Sequence, residues 1–225
     1  VMVNSLDFKK SFKKKFNVNV ECIYNPFDKN FIKKNLLNNK VKISFFKKGY
    51  LNVISIGRLT DQKDHLTALK AIEILEPDFK IKMIIMGKGI KKSLLEKYIK
   101  DKNLGNKVKL IGYKKNPYPY LKISNIVLLT SKYEGLPNIL LEAQYLKKYI
   151  ISTNCPTGPK EILLNGTAGD LVKISDYKKV ADLIKSYNKK KKKISKMIQI
   201  GNNNFDRFDY DVNCKKYLDF VSRNF

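Results

Sequence analysis

The chain has 225 residues, 43% of them hydrophobic, and carries 46 Lys and Arg against 20 Asp and Glu, a formal net charge of +26. That apolar content supplies a core and excludes a wholly disordered chain. Three scattered cysteines (Cys22, Cys155, Cys214) and one histidine exclude a zinc cluster or a disulfide framework, and no apolar run reaches the ~18 residues that span a bilayer.

Along the chain, the opening Val-Met-Val runs into "FKKSFKKKF", which does not read as the natural start of a domain. Six short runs rich in Ile and Val follow: 51–57, 81–87, 107–112, 125–131, 148–153 and 169–172. They mostly do not alternate, as expected of strands buried on both faces. Helical patterns lie between them. Ala68, Ala71, Ile72 and Leu75 share one face; so do Leu94, Leu95, Tyr98 and Ile99, and then Ile139, Ala143 and Leu146. Ser175 is placed to cap a helix that buries Val180, Leu183, Ile184 and Tyr187. This alternation predicts a doubly wound, Rossmann-like α/β domain with a parallel sheet over 29–188. The lysine run 189–193 reads as exposed helix or linker, and 210–221 as a terminal helix.

Ligands of such sheets bind at the carboxyl ends of the strands. "GRLTDQK" follows the first run and brings Gly57, Arg58 and Lys63; "GKG" follows the second and brings Gly87, whose plainer reading is a tight turn. "SKYEGLPNILLEA" follows the fourth. There, Pro137 suits a first helical turn, and the amides of Asn138, Ile139 and Leu140 form an anion seat suited to phosphate. Gly135 lets the backbone approach a ligand. Asn138 and Glu142, four apart, share a face away from the core; a carboxylate there accepts two hydrogen bonds, which fits a ribose diol. Glu134, on the other side of the seat, is placed to accept from a second polyol, with Arg58 and Lys63 neutralising phosphates between them. The layout is that of a nucleotide-sugar site. Cys155 reads as a small filler and His65 as a capping or packing residue on the first crossover helix.

These motifs, in this order and spacing, resemble the glycosyl transferases group 1 family, retaining enzymes of the GT-B fold. "ISIGRLTDQKDHLTALKA", "IIMGKG", "NKVKLIGY", "NIVLLTSKYEGLPNILLEA" and "TNCPTGPKEIL" carry the resemblance, which covers about residues 20–188. It implies that Glu142 holds the ribose and that Arg58 and Lys63 hold the diphosphate and act, with Glu134, as the catalytic set. It places Glu134 and the Gly135–Leu136 backbone against the donor sugar, and Gly112 and Tyr113 by the base. The donor is then a UDP-sugar or other nucleoside-diphosphate sugar, with no further cofactor and no metal. "NCPTGPKEIL" resembles the loop of enzymes that move N-acetylhexosamines. The acceptor is expected to be a glycan or lipid-linked molecule of surface-polysaccharide assembly. "VECIYNPFD" resembles the interdomain connector, so 1–28 is read as the remnant of an acceptor-binding N-terminal domain that is otherwise missing. The isolated chain is then expected to bind donor and to transfer poorly. A cytoplasmic enzyme peripheral to an anionic membrane is expected, without nucleic-acid binding. A non-catalytic sugar-nucleotide module and a basic RNA- or membrane-binding protein remain alternatives.

Overall fold

The computed structural model describes residues 1–37 and 44–224. A small parallel unit comes first: β1 (Met2–Val3), α1 (Leu6–Phe16) and β2 (Glu21–Cys22), followed by α2 (Lys29–Leu37). Then strands and helices alternate: β3 (Leu51–Ile56), α3 (His65–Glu73), β4 (Ile81–Met86), α4 (Lys92–Asp101), β5 (Val108–Leu110), α5 (Tyr118–Ile123), β6 (Ile126–Leu129), α6 (Asn138–Tyr145), β7 (Tyr149–Thr153), α7 (Pro159–Ile162), β8 (Asp170–Val172) and α8 (Tyr177–Lys185). Helices α9 (Lys191–Asn203) and α10 (Tyr210–Asn224) close the chain.

The six main strands are parallel in the order β5-β4-β3-β6-β7-β8, a Rossmann-like arrangement as the alternation predicts. The chain winds outward from β3 through β4 to β5, then returns to β6 on the other side of β3. A crevice therefore opens where β3 and β6 part, above their carboxyl ends.

Apolar residues on both faces of each strand explain the unbroken runs. Val53, Met83, Ile85, Ile126, Leu128 and Ile151 point to one core layer, under α3, α4, α8 and α9. Their neighbours Ile54, Ile84, Met86, Val127, Leu129 and Ile150 point to the other, under α5, α6 and α7. Truncating one of these buried side chains to Ala costs about 2–5 kcal/mol.

Several local expectations are corrected. Leu94 is exposed rather than packed with Leu95. Helix α6 buries Leu140, Leu141, Ala143 and Gln144, so its core face is rotated from the 139/143/146 stripe, whose Ile139 and Leu146 are only half-buried. Asp176, not Ser175, caps α8 by accepting from the Lys179 amide at 3.0 Å, and Tyr187 lies beyond that helix. Lysines 189–193 are exposed, as expected, while Ile194 and Met197 of α9 reach the first core layer. Helix α10 leaves Val212, Leu218 and Val221 exposed and buries only Asn213. No helix among the described residues is long and apolar enough to cross a membrane.

Candidate active site

The loop from β3 to α3 is packed by glycines. A β-carbon on Gly57 would sit 3.2 Å from the Lys63 side chain, which lies across it. One on Gly87 would fall 1.9 Å from the Gly57 carbonyl oxygen, and one on Gly89 2.4 Å from that of Leu59. Only glycine fits either place, so "GKG" is the seat of the β3–α3 loop, a closer role than a bare turn. Asp64 starts α3 by accepting from Thr67 Oγ1 at 2.7 Å, and Thr130 Oγ1 donates to the Lys63 and Asp64 carbonyls at 3.1 and 2.9 Å. His65, first in α3, is buried, with its Nδ1 3.1 Å from Ser55 Oγ. Desolvation pulls its pKa from 6.5 down to about 4, which fits a neutral packing residue.

The loop after β6 is held by its neighbours. Lys63 Nζ and Ser131 Oγ both donate to Glu134 Oε1 at 2.5 Å, and Oε2 has no hydrogen-bond partner among the described residues. The Thr157 hydroxyl donates to the Glu134 carbonyl. A β-carbon on Gly158 would fall 2.0 Å from the Gly135 carbonyl oxygen, so the loop after β7 seats the loop after β6. Pro137 precedes α6 as its cap residue rather than entering its first turn. The Leu140 amide donates to the Pro137 carbonyl at 3.0 Å and is already engaged. Those of Gly135, Leu136, Asn138 and Ile139 have no acceptor among the described residues. The loop and the start of α6 lie at the carboxyl end of β6, and a helix mouth there favours an anion.

A cavity of about 470 Å³ opens at the crevice. Its wall brings together Gly57, Arg58, Gly87, Tyr113, Ile139 and Glu142. Lys63 and Glu134 pair just beside it, and Leu136 and Leu140 are buried in the second core layer. Asn138 does not share the cavity with Glu142, because its side chain accepts from Asn25 Nδ2 at 3.0 Å. Arg58 reaches Gln62 Oε1 at 3.0 Å, and Gln62 in turn donates to the Tyr133 carbonyl at 3.1 Å.

Burial makes the Glu142 carboxyl hard to ionise. Desolvation lifts its pKa from 4.5 to about 7, opposed by the Tyr118 hydroxyl donating to it at 3.5 Å. A carboxylate in that state gains most from a ligand with hydroxyl donors to give. Lys88, Lys114 and Lys115 lie on the loops after the second and third runs, which the sequence places at this edge without a role for those lysines; Tyr118 was missed, and with Ile56, Met86 and Pro117 these residues complete the wall. The signal available for Tyr118 was "NPYPYL", where Asn116 and Pro117 open a six-residue helix. Cys155 is buried, its thiol pushed up to about 11 mainly by desolvation, and reads as filler.

The family model for glycosyl transferases group 1 matches residues 37–204, most of the chain. The uncharacterized glycosyltransferase MJ1059 of Methanocaldococcus jannaschii is 44% identical over 111 residues, covering 49% of this chain and 27% of its own length. A Campylobacter jejuni enzyme is 31% identical over 157 residues, covering 69% of this chain and 40% of its own; it is named N-acetylgalactosamine-N,N'-diacetylbacillosaminyl-diphospho-undecaprenol 4-alpha-N-acetylgalactosaminyltransferase. The chain thus spans less than half the length of these curated relatives. Among solved structures, Anabaena Alr3699/HepE in complex with UDP superposes with a TM-score of 0.85 at 19% identity, over 99% of this chain and 63% of that one. The sheet order, the matched motifs and this superposition place the chain in the glycosyl transferases group 1 family, as the C-terminal half of its GT-B fold.

Proposed function

We propose that the cavity binds the nucleotide of a UDP-sugar and that these residues supply the donor half of a retaining glycosyl transfer. The observation that carries the reading is the meeting of Arg58, Glu142 and Ile139, at the start of α6, in one cavity above the switch point of the sheet. In this reading, Glu142 accepts from the ribose diol, which relieves the cost of its buried charge. The amides of Asn138 and Ile139, with Arg58 and Lys63, hold the diphosphate. Glu134 Oε2 and the Gly135–Leu136 backbone meet the sugar, since Oε1 is already doubly engaged. Gly112 and Tyr113 border the base. Charge builds on the departing diphosphate as the glycosidic bond breaks, and fixed donors that strengthen with that charge lower the barrier. We assign that role to Arg58, Lys63 and the helix amides, without calling on a metal or further cofactor.

The Campylobacter relative's name supports an N-acetylhexosamine donor and a lipid-linked or glycan acceptor, and the UDP in the Anabaena complex supports the base. The acceptor would face the cavity from a second α/β domain, to which 1–28 belongs, with 29–188 as the donor domain and 189–225 as a basic segment and closing helix. Residues 1–225 alone are expected to bind donor and to transfer slowly. Work at the inner face of an anionic membrane agrees with the lysine surface.

Thermal unfolding with and without UDP and UDP-N-acetylhexosamines tests the reading. Ligand at about a hundred times its Kd adds about 2.7 kcal/mol, a rise of several degrees in Tm. The rise should vanish in Glu142→Ala. A Tm indifferent to every sugar nucleotide rules the reading out.

A further inference from the structure

Glu161 lies on α7 and is not part of the donor cavity's wall. Its carboxylate reaches 155 residues back along the chain. Oε1 and Oε2 stand 3.1 and 2.9 Å from the Leu6 amide, and the Tyr24 hydroxyl donates to Oε1. Leu6 opens α1, whose own cap, Ser5, accepts from the Phe8 amide at 3.1 Å. Glu161 thus takes an N–H that the first turn of a helix cannot bond for itself, and a carboxylate at that end gains from the helix dipole as well. Hydrogen bonds to an ionised acceptor are roughly twice as strong as neutral ones.

The backbone around Glu161 bears on the donor loops. Arg207 donates to the Glu161 and Ile162 carbonyls at 3.0 Å each, which fixes α7. Just before α7, the Thr157 hydroxyl donates to the Glu134 carbonyl, and Gly158 is packed against the Gly135 carbonyl. A second connection runs beside this one. Asn4 Nδ2 donates to Asn25 Oδ1 at 3.2 Å, and Asn25 Nδ2 donates at 3.0 Å to Oδ1 of Asn138, the first residue of α6. The corner between β1 and α1 and the segment after β2 therefore grip the donor region at two points: Asn138, after the β6 loop, and Glu161, after the β7 loop.

We propose that Glu161 is a positioning residue for donor binding. By holding Leu6 and Tyr24 it locks residues 1–25 against the loops after β6 and β7, and so keeps the start of α6 set against Arg58 and Glu142. Loops already fixed in their bound shape cost less to order when a ligand arrives. The effect on the donor rests on the donor reading above; the lock itself does not.

Hydrogen exchange and calorimetry with UDP, on the 225-residue chain and its Glu161→Ala and Glu161→Gln variants, test the proposal. In Glu161→Ala, the amides of residues 1–25 should exchange about tenfold faster, while those of β3, β4 and β6 keep their wild-type rates. UDP should bind about three- to tenfold more weakly. Glu161→Gln keeps one acceptor oxygen without the charge and should fall between the two in both measurements; it decides alone if Glu161→Ala does not fold. Adding Asn25→Ala to the Glu161 variant should weaken UDP binding by less than the product of the separate factors, because both residues act through one segment. Wild-type exchange in 1–25 of the variants overturns the lock. Faster exchange with unchanged UDP affinity overturns the positioning role, and factors that simply multiply overturn the shared route. Wild-type protein that gives no heat with UDP overturns the donor reading and the positioning role with it, while exchange still decides the lock.

Discussion

Glu142 and His65 are each held in the neutral form by burial, with opposite consequences for pH. The folded pKa of Glu142, about 7, stands above its ordinary 4.5. Stability linked to its neutral form is complete below pH 4.5 and is lost as pH rises through 7. Glu142→Gln should therefore raise stability at pH 8, on the order of 2 kcal/mol, and change little at pH 4.5. Equal effects at both pH values would show that the carboxyl is not desolvated. A ribose diol favours the ionised form, so UDP binding near pH 7 should release protons, read as a binding heat that varies with buffer ionisation enthalpy. His65 is depressed from 6.5 to about 4. Stability linked to its neutral form is complete above pH 6.5 and is lost as pH falls through 4. Acid unfolding curves of His65→Gln should be flatter over that window; curves parallel to wild type would contradict this. The position of Glu142 was legible from its spacing after "EGLPN". Its burial was not, because the rotation of α6 is set by Leu140 and Leu141 packing under the sheet, not by the helix's own period.

At the scale of elements, two loop-on-loop contacts shape the site. Gly87 seats the β3–α3 loop, and Gly158 seats the loop that leads to α6. Gly158→Ala drives a β-carbon toward the Gly135 carbonyl and Pro137 Cδ, and its φ of +83° strains any other residue. It should weaken UDP binding at least tenfold while the sheet stays folded by circular dichroism; unchanged affinity would detach this loop from the donor site. The strands were legible because a parallel sheet covered on both faces needs continuous apolar runs. The short α5 was not, since six residues with a Pro inside carry no helical period. Nor was the pairing of Lys63 with Glu134, 71 residues apart, which depends on β3 and β6 lying side by side. No local pattern records that adjacency.

On the scale of the whole molecule, the first 28 residues are tied to the donor region. Asn4 donates to Asn25 and Asn25 to Asn138, and the Leu6 amide and Tyr24 hydroxyl donate to Glu161. Arg223 of α10 meets Glu21 of β2 at 3.1 Å, which closes the chain's two ends on each other. The excess of lysine covers the outside, and each well-placed one adds up to about 1 kcal/mol on an anionic leaflet. Vesicles rich in anionic lipid should therefore retain the protein at 0.05 M salt and release it at 0.5 M. Retention that ignores salt would argue against an electrostatic membrane role. The most direct measurement of the donor site is a crystal structure with UDP bound. The diphosphate should rest on the amides of Asn138 and Ile139 beside Arg58, and the ribose hydroxyls should lie about 3 Å from the Glu142 carboxylate. UDP seated elsewhere, with Glu142 still facing Tyr118 alone, would contradict the account.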